Sequence, residues 1–543
     1  MYECPGCGAN MKFDIASQQM SCAYCGMRAE PHSLQKETDA EVEDTFDVTR
    51  FTCPQCGGEM LSGDQDATAF CSFCGAANIL TGRLVREKRP KYIIPFKKTK
   101  EDCKRAYAKK MRWAIFAPRQ LRDPAYIDSF RGIYMPYWTY EMEQKGGICC
   151  KGKKSYRRGD YVYTEHYDLT GNIDAEYYGF SYDASSTFCD NISESLAPYF
   201  VKDQVEFTPA YLSGFYADIA DVGEDLYREN ALRAANESSW AQIRGAKAFK
   251  EYKVSYNGRQ SGLTELLHTR CSAAHSTMYP VWFMSWRKDD RVAYATVNGQ
   301  TGKVVADMPI DIKNYCAVAL ILALPLFIIL NLLGTMKPIT LLVLSSLLGI
   351  AAAWFYLLEL RAIRRRENNE TDVALQQKKW EKNIERGMPA TPPKQLGRQG
   401  SGSIFKRLPK TVTLMLVMVV LTPVITVLVI FQAILSMMGM SLAFLGPLAA
   451  MVVCGIFYYM SFREEKRLEN YRHRFGGVTA MVAQAIVAMI CLWNPVSDLW
   501  YYLGALLIML SVIFDIRDII KSYNRLAMRR LPQFDKQGGD DLA

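Results

Sequence analysis

Histidine is scarce in this chain: there are five, His32, His166, His268, His275 and His473, and they form no cluster in sequence. No H-E-x-x-H, G-x-S-x-G elbow or kinase motif set occurs, so zinc protease, hydrolase and kinase chemistry all lack their usual signatures. The expectation is a protein that is not an enzyme and has no small-molecule substrate. Residues 1–11 hold neither a basic start nor an apolar run, so no secretory signal is expected. Charge is missing too from six apolar runs in the second half, at residues 316–334, 339–358, 411–435, 442–460, 478–493 and 499–514. Ion and proton pathways need ionisable groups at membrane depth, so a pump or transporter is not expected.

Those runs divide the 543 residues into a polar half and an apolar half, with the net charge of +9 unevenly spread. Residues 316–334 and 339–358 are each long enough to cross a bilayer as a helix, and four residues join them into a hairpin. Pairing the other runs the same way predicts six helices in three hairpins. The intervening segments are basic: thirteen Lys or Arg against six acids at 359–410, five at 462–476, and six from residue 515 onward. The positive-inside rule then predicts a multi-pass cell-membrane protein with both termini cytoplasmic.

Cysteine carries the strongest motif. Cys4, Cys7, Cys22 and Cys25 recur 49 positions later as Cys53, Cys56, Cys71 and Cys74. Both sets read C-P-x-C-G and then C-x-x-C-G, with fourteen residues between the pairs. A C-x-x-C turn aims two thiolates at one ion, and four thiolates fill a tetrahedral zinc, leaving no open position for water or substrate. Two structural zinc ions are the expected cofactors, each supplying folding energy to a segment too small for its own core. Disulfides, rubredoxin-type iron and one interleaved cluster are the alternatives.

The cytoplasmic half should hold zinc ribbons at 1–32 and 51–82, an acidic linker at 33–50, and an α+β domain with an antiparallel sheet at 83–312. The membrane half should run as a hairpin at 313–358, a basic loop at 359–410, hairpins at 411–460 and 477–514 around a basic loop at 461–476, and a tail at 515–543. Residues 83–112 carry thirteen Lys or Arg against three acids, a composition suited to anionic lipid or nucleic acid. A helix is expected over 100–116, capped by Thr99 with Asp102, with Ala106, Met111, Trp113 and Phe116 toward a core. Tyrosine-rich residues 132–182 read as antiparallel strands, with the vicinal Cys149 and Cys150 alternating along one of them and a redox-active pair as the alternative. Residues 221–244 read as a helix and 281–286, 292–297 and 303–306 as strands, with Asn298 and Gly299 at a tight turn able to take positive φ. The phrase GQTGK at 299–303 lacks the spacing of a phosphate loop.

The paired CPxCG ribbons, the phrase GIYMPYWTYE at 132–141 and the phrase YPVWFMSWRKDDRVAYATVNGQTGKVVADMP at 279–309 resemble a group of uncharacterised bacterial membrane proteins with zinc ribbons of the general transcription factor type. Some members of that group resemble partners of PspA-type and flotillin-like (SPFH) membrane proteins. The resemblance implies a membrane-anchored zinc-ribbon adaptor that recruits such a cytoplasmic, membrane-associated protein, in envelope stress or membrane maintenance. A membrane-tethered nucleic-acid binder and a lipid-handling membrane protein are the rival readings.

Overall fold

The computed structural model describes residues 2–34, 44–62, 71, 73–74, 81–188, 190–256, 260–288, 291–333, 337–367, 377, 442–466, 476–493 and 495–530. The first cysteine repeat forms a small antiparallel sheet of β1 (Met11–Asp14), β2 (Gln19–Cys22) and β3 (Arg28–Ala29). The second is framed by β4 (Thr45–Thr52), β5 (Glu59–Ser62) and β6 (Thr81–Lys88). Residues 45–50, expected as linker, are therefore strand, because Phe46 and Val48 alternate into one core cluster while Phe51, on the other face of the strand, is buried in a second.

From here one large sheet grows. Its remaining strands are β7 (Tyr92–Ile93), β8 (Arg131–Arg158), β9 (Tyr161–Asp183), β10 (Val205–Glu206), β11 (Tyr216–Ala217), β12 (Lys253–Ser255), β13 (Thr269–Lys288), β14 (Arg291–Asn298), β15 (Val304–Ala306) and β16 (Arg529–Arg530). The main path is β10-β7-β13-β8-β11-β5-β4-β6. The expected antiparallel sheet is in fact mixed: β7 runs parallel to β13 and β11 parallel to β8. These two-residue strands carry no periodic signal, so sequence patterning could not reveal them. Ribbon 2 joins the same sheet, since β5 pairs with β11 through Tyr216 opposite Ser62 and Ala217 opposite Leu61.

Helix α1 (Lys100–Arg112) starts as expected: the Thr99 hydroxyl accepts from the Asp102 N–H (3.2 Å), and the Asp102 carboxylate accepts from the Thr99 N–H (3.1 Å). The Arg105 guanidinium, followed by the Thr99 N–H, holds that carboxyl below its ordinary range. The helix stops at Arg112, however, and Trp113 lies 86 % exposed rather than in a core. Beyond it come α2 (Asp190–Leu196), α3 (Arg228–Gly245) and α4 (Gln260–Leu266). Asn298 and Gly299 form no two-residue turn. Instead the Asn298 carboxamide accepts from the N–H groups of Gln300 and Thr301, and Gly302 supplies the positive φ (78°).

The core centres on Phe96, which stacks on Phe215 (centroids 4.6 Å apart) and meets Tyr134 and Trp282 at 5.0 and 5.1 Å. Two glycines make the room. A Cβ at Gly132 would come within 2.5 Å of the Phe215 ring, and one at Gly299 within 2.6 Å of the Phe96 ring.

The chain leaves the sheet through α5 (Ile312–Leu333) and continues as α6 (Pro338–Glu367), α7 (Leu442–Glu465), α8 (Gly476–Trp493) and α9 (Leu499–Ala527). This is not the expected six-helix transmembrane domain. Among the described residues one segment, Pro338–Ala362, is long and apolar enough to cross a membrane, while Ile312–Pro325 and Val478–Trp493 are apolar but shorter. The multi-pass placement with both termini cytoplasmic falls with it. The physical reason is that an apolar run specifies burial without specifying the medium. Here Leu342, Ala483, Val487, Cys491, Tyr501, Ala505 and Ile508 bury one another between helices. Buried Gln484 also reaches the Ser346 carbonyl (3.1 Å) across the gap that Gly349 leaves. The expected run at 411–435 lies outside the described residues. The basic loop expected from residue 359 begins as helix, since α6 continues to Glu367. At the far end, Asn524 exchanges two 2.7 Å hydrogen bonds with the backbone of Ile310, returning α9 to the sheet beside the point where α5 departs.

Candidate functional site

Each cysteine repeat folds into two knuckles for local reasons. In the first, the Gly8 N–H donates to the Cys4 carbonyl (2.8 Å) and the Gly26 N–H to the Cys22 carbonyl (3.0 Å). Both glycines sit at positive φ, 73° and 72°. Ribbon 2 repeats this at Gly57, with φ 71° and a 2.8 Å bond to the Cys53 carbonyl. Glycine pays no Cβ penalty in this conformation, which explains its place after the second Cys of a knuckle.

The knuckles bring four thiols together twice. Cys4 and Cys25 sulfurs lie 3.5 Å apart, as do those of Cys7 and Cys22. In the second quartet Cys53 to Cys74 and Cys56 to Cys71 are each 3.8 Å. Within each group all ligand atoms fall within 4.8 Å of one another. A tetrahedral ion with metal–sulfur bonds of ~2.3 Å requires sulfurs about 3.8 Å apart, so both quartets fit a four-thiolate metal without rearrangement. Each quartet draws its ligands from one repeat, so the expected separate sites are present and the interleaved cluster is not.

Their electrostatics favour loading. The Cys22 thiol is pulled down to about 6, first by the Cys25 N–H and further by that of Tyr24. Cys53 falls to about 6, led by a hydrogen bond from Cys71, whose own thiol is pushed up chiefly by that bond. One thiolate per quartet is thus available near neutral pH, and a bound dication displaces the remaining protons. Protons compete with the metal for the same sulfurs, so retention weakens as the pH falls.

The quartets differ in burial. Cys7 and Cys25 are exposed, whereas Cys53, Cys56, Cys71 and Cys74 are all buried. The second set packs in one core cluster with Ile94, Tyr137, Tyr279 and Phe283, and the Tyr294 hydroxyl donates to the Phe73 carbonyl beside it (2.9 Å). Ribbon 1 is seated less deeply but just as specifically. The Phe13 N–H donates to the Ser213 carbonyl (3.2 Å), the Gln18 amide to the Phe96 carbonyl (2.7 Å), and Phe13 packs edge-on to Tyr211 (5.1 Å). Neither ribbon hangs free. Sequence patterning does not reveal the aromatic seat, although the glycines at 132 and 299 are its available signal.

The other singled-out residues do not converge. Cys149 is exposed and Cys150 buried, as strand alternation requires. His268 bonds the Gly147 carbonyl (2.9 Å), and His275 lies 3.3 Å from Glu141. The basic stretch at 83–112 is split: Arg86 pairs with Asp47 (3.2 Å) and Lys97 with Asp203 (2.7 Å), and Lys110 donates to the Val304 carbonyl (2.6 Å).

No protein-family profile matches the chain, and no solved structure matches it. Over 314 residues it is 30% identical to the uncharacterised protein YdjG of Bacillus subtilis, an alignment spanning 57% of this chain and 90% of YdjG. The chain belongs to the YdjG family. YdjG is itself uncharacterised, so membership of the YdjG family carries no activity with it.

Metal analysis of the purified full chain should find two zinc ions, and Cys7→Ser with Cys25→Ser should leave one, measured by plasma mass spectrometry against protein concentration. Loss of both ions from that exposed-site variant would show that the quartets are not independent.

Proposed function

We propose that this protein is a zinc-stabilised adaptor at a membrane surface, anchored through Pro338–Ala362, that recruits an oligomeric membrane-associated protein of PspA type or flotillin-like type. The observation that carries the reading is the closure of both quartets inside the sheet domain. Four mutually adjacent thiolates leave no coordination position for substrate, so the zinc stiffens a binding platform rather than performing chemistry.

The platform has a protruding part. Hairpin β8–β9 runs from a buried base at Ile133 and Tyr134 to an exposed tip, where Tyr156 and Tyr163 stack (5.7 Å) beside exposed Tyr161 and Val162. Among the described residues β9 is laddered only to β8, which leaves a long edge of backbone groups for a partner strand. Removing residues 1–82 would tear out core residues, so the hairpin provides the cleaner test. Residues 154–165 are replaced by Asn-Gly, joining the paired Lys153 and His166. Partner recovery by affinity purification should fall at least about tenfold with both zinc ions retained, since a few interface residues carry most binding energy. Undiminished recovery would remove the hairpin from the interface.

A further inference from the structure

The segment after α1 is built for a different surface. Trp113 is 86 % and Ile115 48 % exposed, an unusual pair on consecutive turns of one loop. The loop is tied to the foot of α5 rather than left loose: the Asp311 N–H donates to the Phe116 carbonyl (2.8 Å), the Asn314 amide donates to the Ala117 carbonyl (3.1 Å), and the rings of Phe116 and Tyr315 lie 5.4 Å apart. Further exposed apolar side chains stand on α5 itself, at Ile312, Leu320, Ile321 and Leu324. Around the loop stand Lys109, Arg112, Arg119 and Lys313, all exposed and none in an ion pair among the described residues. The nearby acids are Asp123, and Asp311, which is turned back onto the Lys313 N–H (2.9 Å).

We infer that Trp113 and Ile115 insert into the headgroup region of an anionic bilayer, with Lys109, Arg112, Arg119 and Lys313 on the lipid phosphates. The inference rests on the membrane-surface reading above and names the residues that set the depth and tilt of the sheet domain. Trp prefers this depth because its ring is apolar while its N–H needs a wet partner. A cationic rim beside an apolar wedge matches the two layers that it would meet, anionic headgroups above acyl chains. A second protein copy would match the wedge but would need acids for the rim, and of the two acids beside this patch Asp311 is already bonded to the Lys313 N–H.

The full chain is reconstituted into vesicles of phosphatidylcholine and phosphatidylglycerol at about 7:3, and the signal of Trp113 is taken as the difference between wild type and Trp113→Phe. It should be quenched by lipid brominated near the headgroup and shielded from aqueous iodide. Arg112→Glu with Arg119→Glu should raise its iodide quenching several-fold, because each cation near such a surface contributes roughly a fivefold bias. Flotation is measured on the same samples. If the chain floats while Trp113 stays open to iodide, this inference fails and the membrane reading stands. If Trp113 is shielded from iodide but untouched by brominated lipid, protein covers the patch and the inference fails. A chain that does not float overturns both.

Discussion

Replacing Cys71 with Ser should unfold the sheet domain, whereas replacing Cys7 should cost one zinc ion and leave the sheet standing. Both changes remove one thiolate from a four-thiolate site. The difference lies in what the site supports. Cys71 is buried in a cluster with Ile133, Tyr137, Val281 and Phe283, which come from β8 and β13 at the centre of the sheet. Metal binding in structural sites is worth about 10–16 kcal/mol in isolated zinc-finger peptides, while whole domains are stable by about 5–15 kcal/mol. Losing the second ion therefore removes a share comparable to the whole. It also leaves buried polar thiols without their charge partner. Cys7 stands in solvent, and ribbon 1 retains its seat through Phe13, Ser213 and Gln18. Thermal unfolding followed with zinc release separates the cases: no cooperative transition is expected for Cys71→Ser, and a modestly lowered one for Cys7→Ser. Equal effects would mean that ribbon 2 is not part of the core.

Phe96→Ala should destabilise the sheet domain by about 3–5 kcal/mol without releasing either ion, the usual cost of deleting a buried phenyl ring. Phe96 is fully buried between Phe215, Tyr134 and Trp282, and its carbonyl accepts the Gln18 amide of ribbon 1. The substitution would open a cavity where ribbon, β8 and β13 meet, and the glycine backbones at 132 and 299 cannot collapse far enough to refill it. Denaturant midpoints report the loss. A change below about 1 kcal/mol would show that these rings are not a shared core.

What sequence made legible here were the local devices. The spacing of Cys4, Cys7, Cys22 and Cys25 and its repeat specify both quartets, because a knuckle is a short-range turn whose ligands announce themselves. The Thr99–Asp102 box gives the start of α1, and alternation gives β14 and much of β13. What stayed hidden was non-local. Two-residue strands such as β7 and β11 exist only because neighbours template them, so ribbon 2 read as a free module when it is an edge of the main sheet. Trp113 reads as core only if the helix runs one turn further, and it ends at Arg112. The apolar runs misled for a related reason: composition marks them as apolar without naming what covers them, and helix-to-helix packing around Leu342 and Ile508 covers part of them.

The adaptor reading is tested most directly by purifying the tagged full chain in mild detergent and identifying what accompanies it. It predicts a stoichiometric oligomeric protein that persists after nuclease treatment and at raised salt, where exposed phosphate contacts weaken steeply. Recovery of nucleic acid instead, lost as salt rises and with no protein partner remaining, would contradict it.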